Sequence, residues 1–185
     1  MLSADDDEQE IFDTINALGV RLTTGELLKN FIFMERSLQG QYETLWRDTY
    51  EGNEEQVEFW NSEKTAGRVV RTNMEVLLYC YLIITTKEEV KLESLFKEYK
   101  KWLSEKPTEA KRAFLGELRQ YAEIYYSFPS DTDLNQIGFK EEEKRFFHVV
   151  DYLVVTTIYP LILYIYKNVT SSEARSSMVR MLESS

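Results

Sequence analysis

Residues 11–33, IFDTINALGVRLTTGELLKNFIF, constrain the fold more than any other stretch of the chain. Ile11, Phe12, Ile15 and Leu18 recur at helical spacing. Gly19 follows where a helix ends in the left-handed conformation that glycine adopts without strain. Val20, Arg21 and Leu22 alternate apolar, charged, apolar, as an extended link does. Thr23 and Glu26 have the spacing of a capping box: the hydroxyl accepts from a backbone N–H three residues on, and the glutamate reaches back. Leu27, Leu28, Phe31 and Ile32 form the apolar face of the helix so begun. The stretch reads as helix, link, helix.

The rest of the chain continues in helices. Tyr42, Leu45, Trp46 and Thr49 predict a short one ending near Gly52, and the polar, acidic residues 51–67, anchored by Phe59 and Trp60, predict a variable loop or insert. From Thr72 to Thr85 almost every residue is apolar, Cys80 among them, and a helix apolar all round is a central one. Leu92, Leu95, Phe96, Tyr99, Trp102 and Leu103 make an amphipathic face opposite lysines 91, 97, 100 and 101. Pro107 breaks that helix and Thr108 is placed to cap the next, which turns Phe114, Leu118, Tyr121, Ala122 and Tyr125 inward and stops before Pro129. A long helix is expected from about 140 to 167, kinked near Thr156 by Pro160, which cannot donate to the carbonyl four residues back. Thr170–Leu182 reads as a last helix with Ala174, Met178 and Leu182 inward. Together these predict an all-α, multi-helix array or bundle of about seven or eight helices, opened by the helix-loop-helix. Residues 1–10 are expected to be a disordered acidic lead. Residues 11–185 are expected to form one domain: the hairpin 11–35, the loop 51–67 and the bundle 70–185.

Length and composition support this. At 185 residues the chain suits one domain with a sizeable core, and only seven glycines and three prolines interrupt it. The net charge of −10 repels phosphate backbones, so non-specific DNA binding by this chain is disfavoured. A single cysteine excludes an internal disulfide and fits a reducing cytoplasm. The uncharged run 152–166 is shorter than the roughly twenty residues a bilayer demands and is read as a buried helix.

Few residues carry chemistry. The helix start at Thr23–Glu26 exposes backbone N–H groups, Gly25 lets an anion approach, and Arg21 or Lys29 can neutralise a phosphate. Against this, Asn16 and Gly19 close one helix and Thr23 caps the next, and Glu26 repels an anion. Asp131, Asp133, Asn135 and Glu142 fall at positions one, three, five and twelve of a calcium loop, but Gln136 stands where that loop needs glycine. They are read as turn and cap residues. His148, the only histidine, lacks the partners of a zinc site. Cys80 is read as core, consecutive Glu141, Glu142 and Glu143 as solvated charge, and the lysine face over 91–106 as a solvated helix face. No catalytic set and no metal site converge.

As an ordered string, the opening stretch resembles the GmrSD restriction-endonuclease family, in the helical region that follows the nucleotide-binding motif of its ParB-like N-terminal domain. The pattern is F-x-x-x-N-x-x-G-x-x-L-[ST]-x-x-[ED]-L-[IL]-K-N-[FY], carried by Phe12, Asn16, Gly19, Leu22, Thr23, Glu26, Leu27, Leu28, Lys29, Asn30 and Phe31, with Arg21 inside it. Residues 157–163, TIYPLIL, are similar to a T-x-Y-P-L-L-L helix further along these proteins. The sequence lacks the family's D-G-Q-Q-R-type motif and the histidines of its HNH-type nuclease. The resemblance therefore implies a helical scaffold, not catalytic by itself, from the middle of a larger bacterial or archaeal cytoplasmic protein that couples nucleotide hydrolysis to cleavage of modified phage DNA. On that resemblance, nucleoside triphosphate, divalent metal and DNA belong to the full-length parent, and no cofactor or membrane to this chain. The alternative is a helical protein–protein interaction module unrelated to DNA cleavage. If a nucleotide-binding domain of the same protein normally packs on residues 11–33, then Ile11, Phe12, Ile15, Leu27 and Phe31 cannot all turn inward. The chain then binds that neighbour or forms a homodimer.

Overall fold

The computed structural model describes residues 22–66, 69–129, 142–152 and 156–183. It is an all-α array. Helix α1 (Thr24–Phe33) is followed by a 3-10 turn (Gln39–Gln41), a π-helical turn (Glu43–Arg47) and the single turn α2 (Asp48–Tyr50). Then come α3 (Glu54–Asn61), the hairpin β1 (Glu63–Ala66) and β2 (Val69–Thr72), and α4 (Asn73–Thr86). A 3-10 turn (Leu92–Ser94) leads into α5 (Leu95–Ser104). Helices α6 (Thr108–Tyr126), α7 (Glu142–Tyr152), α8 (Tyr159–Asn168) and α9 (Ser172–Glu183) complete the described residues.

The apolar run of residues 73–86 makes α4 the hub. It packs against α1, α3, α5, α6 and α8 and buries Val76, Leu77, Leu78, Cys80, Tyr81 and Leu82. Its start is a capping box of Thr72 and Glu75, a T-x-x-E signal of the same kind as Thr23–Glu26. Polar atoms that must enter this core are paired. The Tyr99 hydroxyl donates to the Leu78 carbonyl at 2.7 Å, and the Asn73 amide donates to the Phe59 carbonyl at 2.8 Å while accepting from Tyr125 at 2.9 Å. Aromatic rings fill much of the remaining volume. Trp46, Tyr50, Trp60 and Tyr125 form a run of ring pairs with centroids 4.9, 5.2 and 5.9 Å apart. Such pairs add about 0.5–1.5 kcal/mol each beyond their burial.

Several expectations are corrected. Residues 51–67 are not simply a loop: 54–61 form α3, capped by Asn53, and 63–66 form β1, paired antiparallel with β2 from Glu63↔Thr72 to Ala66↔Val69. Trp60 explains why, since its ring is buried and its indole N–H donates to the Thr49 carbonyl at 3.1 Å, which pins the helix to the core. The long helix expected at 140–167 is interrupted at Thr156–Ile158 by a 3-10 turn rather than running through a kink. α7 is described through Tyr152, a 3-10 turn occupies Thr156–Ile158, and α8 starts afresh with Pro160 in its first turn. There a missing N–H costs nothing, whereas in a helix interior it breaks the ladder. Thr108 does not cap α6; Pro107 holds that place, and the Thr108 hydroxyl donates to Glu35 instead. Met178 is 38% exposed and Val179 beside it is buried, so Val179 takes the inward place expected of Met178, while Leu182 packs against the core as expected. Residues 1–21 and 131–138, with Phe12, Asn16, Gly19, Arg21 and the calcium-like Asp131, Asp133 and Asn135, lie outside the described residues.

Candidate functional site

The second half of the signature lies within the described residues. Leu22 is half-buried, and the Thr23 hydroxyl accepts from the Glu26 N–H at 3.2 Å while a Glu26 carboxylate oxygen accepts from the Thr23 N–H at 2.7 Å. That reciprocal pair fills the N-terminal end of α1 with a negative charge of the protein's own. The Thr24 hydroxyl donates to Glu75, 51 positions later, at 2.7 Å, tying the starts of α1 and α4 together. Gly25 is buried, and a Cβ there would stand 2.7 Å from Met74 Cγ. Glycine therefore serves the close crossing of two helices.

Lys29 is also engaged. Its ammonium lies 2.7 Å from a Glu51 carboxylate oxygen, and that carboxylate accepts further hydrogen bonds from the Tyr42 hydroxyl at 2.6 Å and the Trp46 indole at 3.3 Å. Burial pushes the Glu51 carboxyl up, and the three donors more than reverse this, so it titrates below the ordinary carboxylate value. The hydrogen bond to that carboxylate in turn holds the Tyr42 hydroxyl up at about 12, with burial and the nearby charge adding to the effect. A phenol held protonated is no nucleophile at neutral pH. The four side chains staple α1 to the segment that carries Trp46. Asn30 is exposed on the outer face of α1.

The apolar residues of α1 turn into this domain. Leu28 and Ile32 are fully buried, Leu27 is half-buried, and Phe31 packs edge-on to Phe96 of α5 at 6.3 Å between centroids. Phe31 is partly covered because α5 presents Phe96, with the Lys100 ammonium 6.0 Å from the Phe31 ring centroid, while Ile11, Phe12 and Ile15 lie outside the described residues. A second ionic staple lies at the other end of α1. Glu35 accepts from Lys111 at 2.8 Å, from Thr108 and from Ser37 at 2.8 Å, and these bonds hold its carboxyl down at about 2.

The remaining candidates take ordinary structural places. Cys80 is fully buried and burial raises its thiol pKa, so it is no reactive thiolate. His148 lies half-buried on α7 with a partner of its own. Among the described residues, no group of three or more His, Cys, Asp or Glu is placed to hold a metal, and no helix is long and apolar enough to cross a membrane.

Fold and geometry thus define a helical domain with an aromatic core, whose α1 is locked in place at both ends. Comparison with family models, with curated proteins and with solved structures finds no match.

Proposed function

We propose that this chain is a helical scaffold domain, not catalytic by itself, and that the protein it serves is a GmrSD-like, nucleotide-dependent DNA restriction protein of bacterial or archaeal phage defence. One observation carries the scaffold reading: α1 is riveted to α4 by Gly25 against Met74 and by Thr24 to Glu75, and to the Trp46 segment by Lys29 and Glu51. A chain that enters such a helix at Thr23 is held at a fixed angle to the bundle, which is what a mount for a neighbouring domain needs. The ordered string from Phe12 to Phe31 supports the restriction assignment, by resemblance alone. Nucleotide, metal and DNA are then handled by other parts of the parent.

Two experiments separate the halves of this proposal. The purified chain should neither hydrolyse nucleoside triphosphates nor cut DNA with Mg²⁺ present. Metal-dependent turnover that survives repurification and disappears in a point variant overturns the scaffold half. Cells expressing the intact gene should plate phage with modified DNA less efficiently than phage with unmodified DNA, and Gly25→Val should abolish the difference. Equal plating of both phages overturns the restriction half.

A second reading is a protein–protein interaction module without a role in DNA cleavage. It is favoured by Leu161 and Tyr164, which share the outer face of α8 at 46% and 52% exposure, and by the charge of −10. A homodimer formed through that face would persist at micromolar concentration and be weakened by Leu161→Glu. A monomer throughout removes the homodimer.

A further inference from the structure

A cleft of about 290 Å³ opens where the C-terminal turn of α4 meets α5. The local sequence builds it. α4 ends at Thr86, whose hydroxyl donates back to the Leu82 carbonyl, and Lys87 turns the chain away in the left-handed conformation, at φ 58°. The chain returns with Val90 buried, so Leu82, Val90 and the Trp102 ring form an apolar floor. Glu88, Glu89 and Glu105 stand on the rim, all exposed, and among the described residues their carboxylates have no ion pair.

The electrostatics are one-sided. Thr86 is the last residue of α4 and Glu105 the cap residue of α5, so two helix C-termini, each with partial negative charge, border the same space. Glu98 adds a fourth carboxylate, accepting from the Ser94 hydroxyl at 3.4 Å. Two cations oppose them. The Lys106 ammonium is held over the Trp102 ring, 4.6 Å from its centroid, and Lys101 is exposed. The volume lies just below the roughly 300–1,000 Å³ of small-molecule pockets, room for one long side chain.

We propose that this cleft docks a basic segment of a partner protein through one arginine or lysine side chain. Its aliphatic stem lies on Leu82, Val90 and Trp102, as such stems do on apolar surface, and its cationic head lies among Glu88, Glu89 and Glu105. This goes beyond the scaffold reading and does not depend on the restriction assignment.

The test uses the whole chain and the probe peptide acetyl-Gly-Leu-Arg-Leu-Gly-amide, with counterparts in which citrulline or glutamate replaces arginine. Calorimetry at about 150 mM salt, where exposed charges are screened beyond about 8 Å, should show the arginine peptide binding with Kd on the order of 100 µM and both counterparts at least about tenfold weaker. Binding should shift the emission of half-buried Trp102, and the shift should vanish in Trp102→Phe, because Trp46 and Trp60 are buried elsewhere. The variant Glu88→Gln/Glu89→Gln/Glu105→Gln should lose about tenfold in affinity. Glu58→Gln/Glu63→Gln/Glu93→Gln, with the same charge change away from the cleft, should lose none. No detectable binding, equal binding of the citrulline peptide, equal loss in the two triple variants, or tighter binding of the glutamate peptide overturns the proposal.

Discussion

Met74 Cγ stands 2.7 Å from the position a Cβ on Gly25 would occupy. Side-chain and Cβ atoms do not approach so closely, so any larger residue at position 25 would force the Met74 side chain to shift at the crossing of α1 and α4.

Gly25→Ala should therefore destabilise the chain by about 1 kcal/mol net, the overpacking cost exceeding what alanine gains in helix propensity. Met74→Ala removes the clashing carbon along with buried volume. In a double-mutant cycle by urea unfolding, the pair should cost less than the sum of the two single changes. Additive costs would mean that the two residues do not meet as described.

Acid should weaken the staple between Glu35 and α6. The carboxyl of Glu35 titrates at about 2 in the folded chain against an ordinary 4.5, held down first by Lys111 and then by Thr108 and Ser37. A group depressed on folding contributes stability that is complete above its unfolded pKa and is lost as pH falls toward the folded one. Its side chain is 27% exposed, so after solvent screening the contribution is on the order of 1 kcal/mol. Glu35→Gln should cost that much at pH 7, and the gap between wild type and variant should narrow as pH falls from 4.5 toward 2. A gap that is constant, or that widens in acid, contradicts the assignment.

Much of the architecture was legible in the residues because helices announce themselves by period. Leu95, Tyr99 and Leu103 are buried one turn apart as their spacing predicts, and Phe114, Leu118, Tyr121, Ala122 and Tyr125 line the buried face of α6. What escaped depends on contacts distant in sequence. Nothing in residues 54–61 shows that Trp60 will find the Thr49 carbonyl, so an acidic stretch with two aromatic anchors reads as a loop. Thr108 has the composition of a cap, and only the approach of Glu35, 73 positions earlier, gives its hydroxyl another partner. At the candidate site, the Thr23–Glu26 box was visible in four residues, whereas the Met74 contact to Gly25 and the Glu51 contact to Lys29 arise only once α4 and the Trp46 segment are packed. One missed signal was available: Thr72 and Glu75 repeat the capping spacing and mark the start of α4.

Cys80 offers a chemical readout of the core. It is fully buried at the centre of α4 and its thiol is raised by burial. A thiol reagent at pH 8 should leave the native chain almost unlabelled and react fully in denaturant, with a labelling rate that follows global unfolding. Rapid labelling of the native chain would show that α4 is not the hub.

The central claim, that α1 is a locked member of this domain's core, is tested most directly by native-state hydrogen exchange on the whole chain. Residues 28–33 of α1 lie between the Gly25–Met74 contact and the Glu35–Lys111 pair, and residues 76–82 of α4 are the buried centre. If α1 is locked, its amides should exchange only through the same global opening as those of α4, with equal free energies of exchange and equal losses in Met74→Ala. If residues 28–33 exchange rapidly while residues 76–82 stay protected, α1 is a loosely attached hairpin arm and the scaffold account is contradicted.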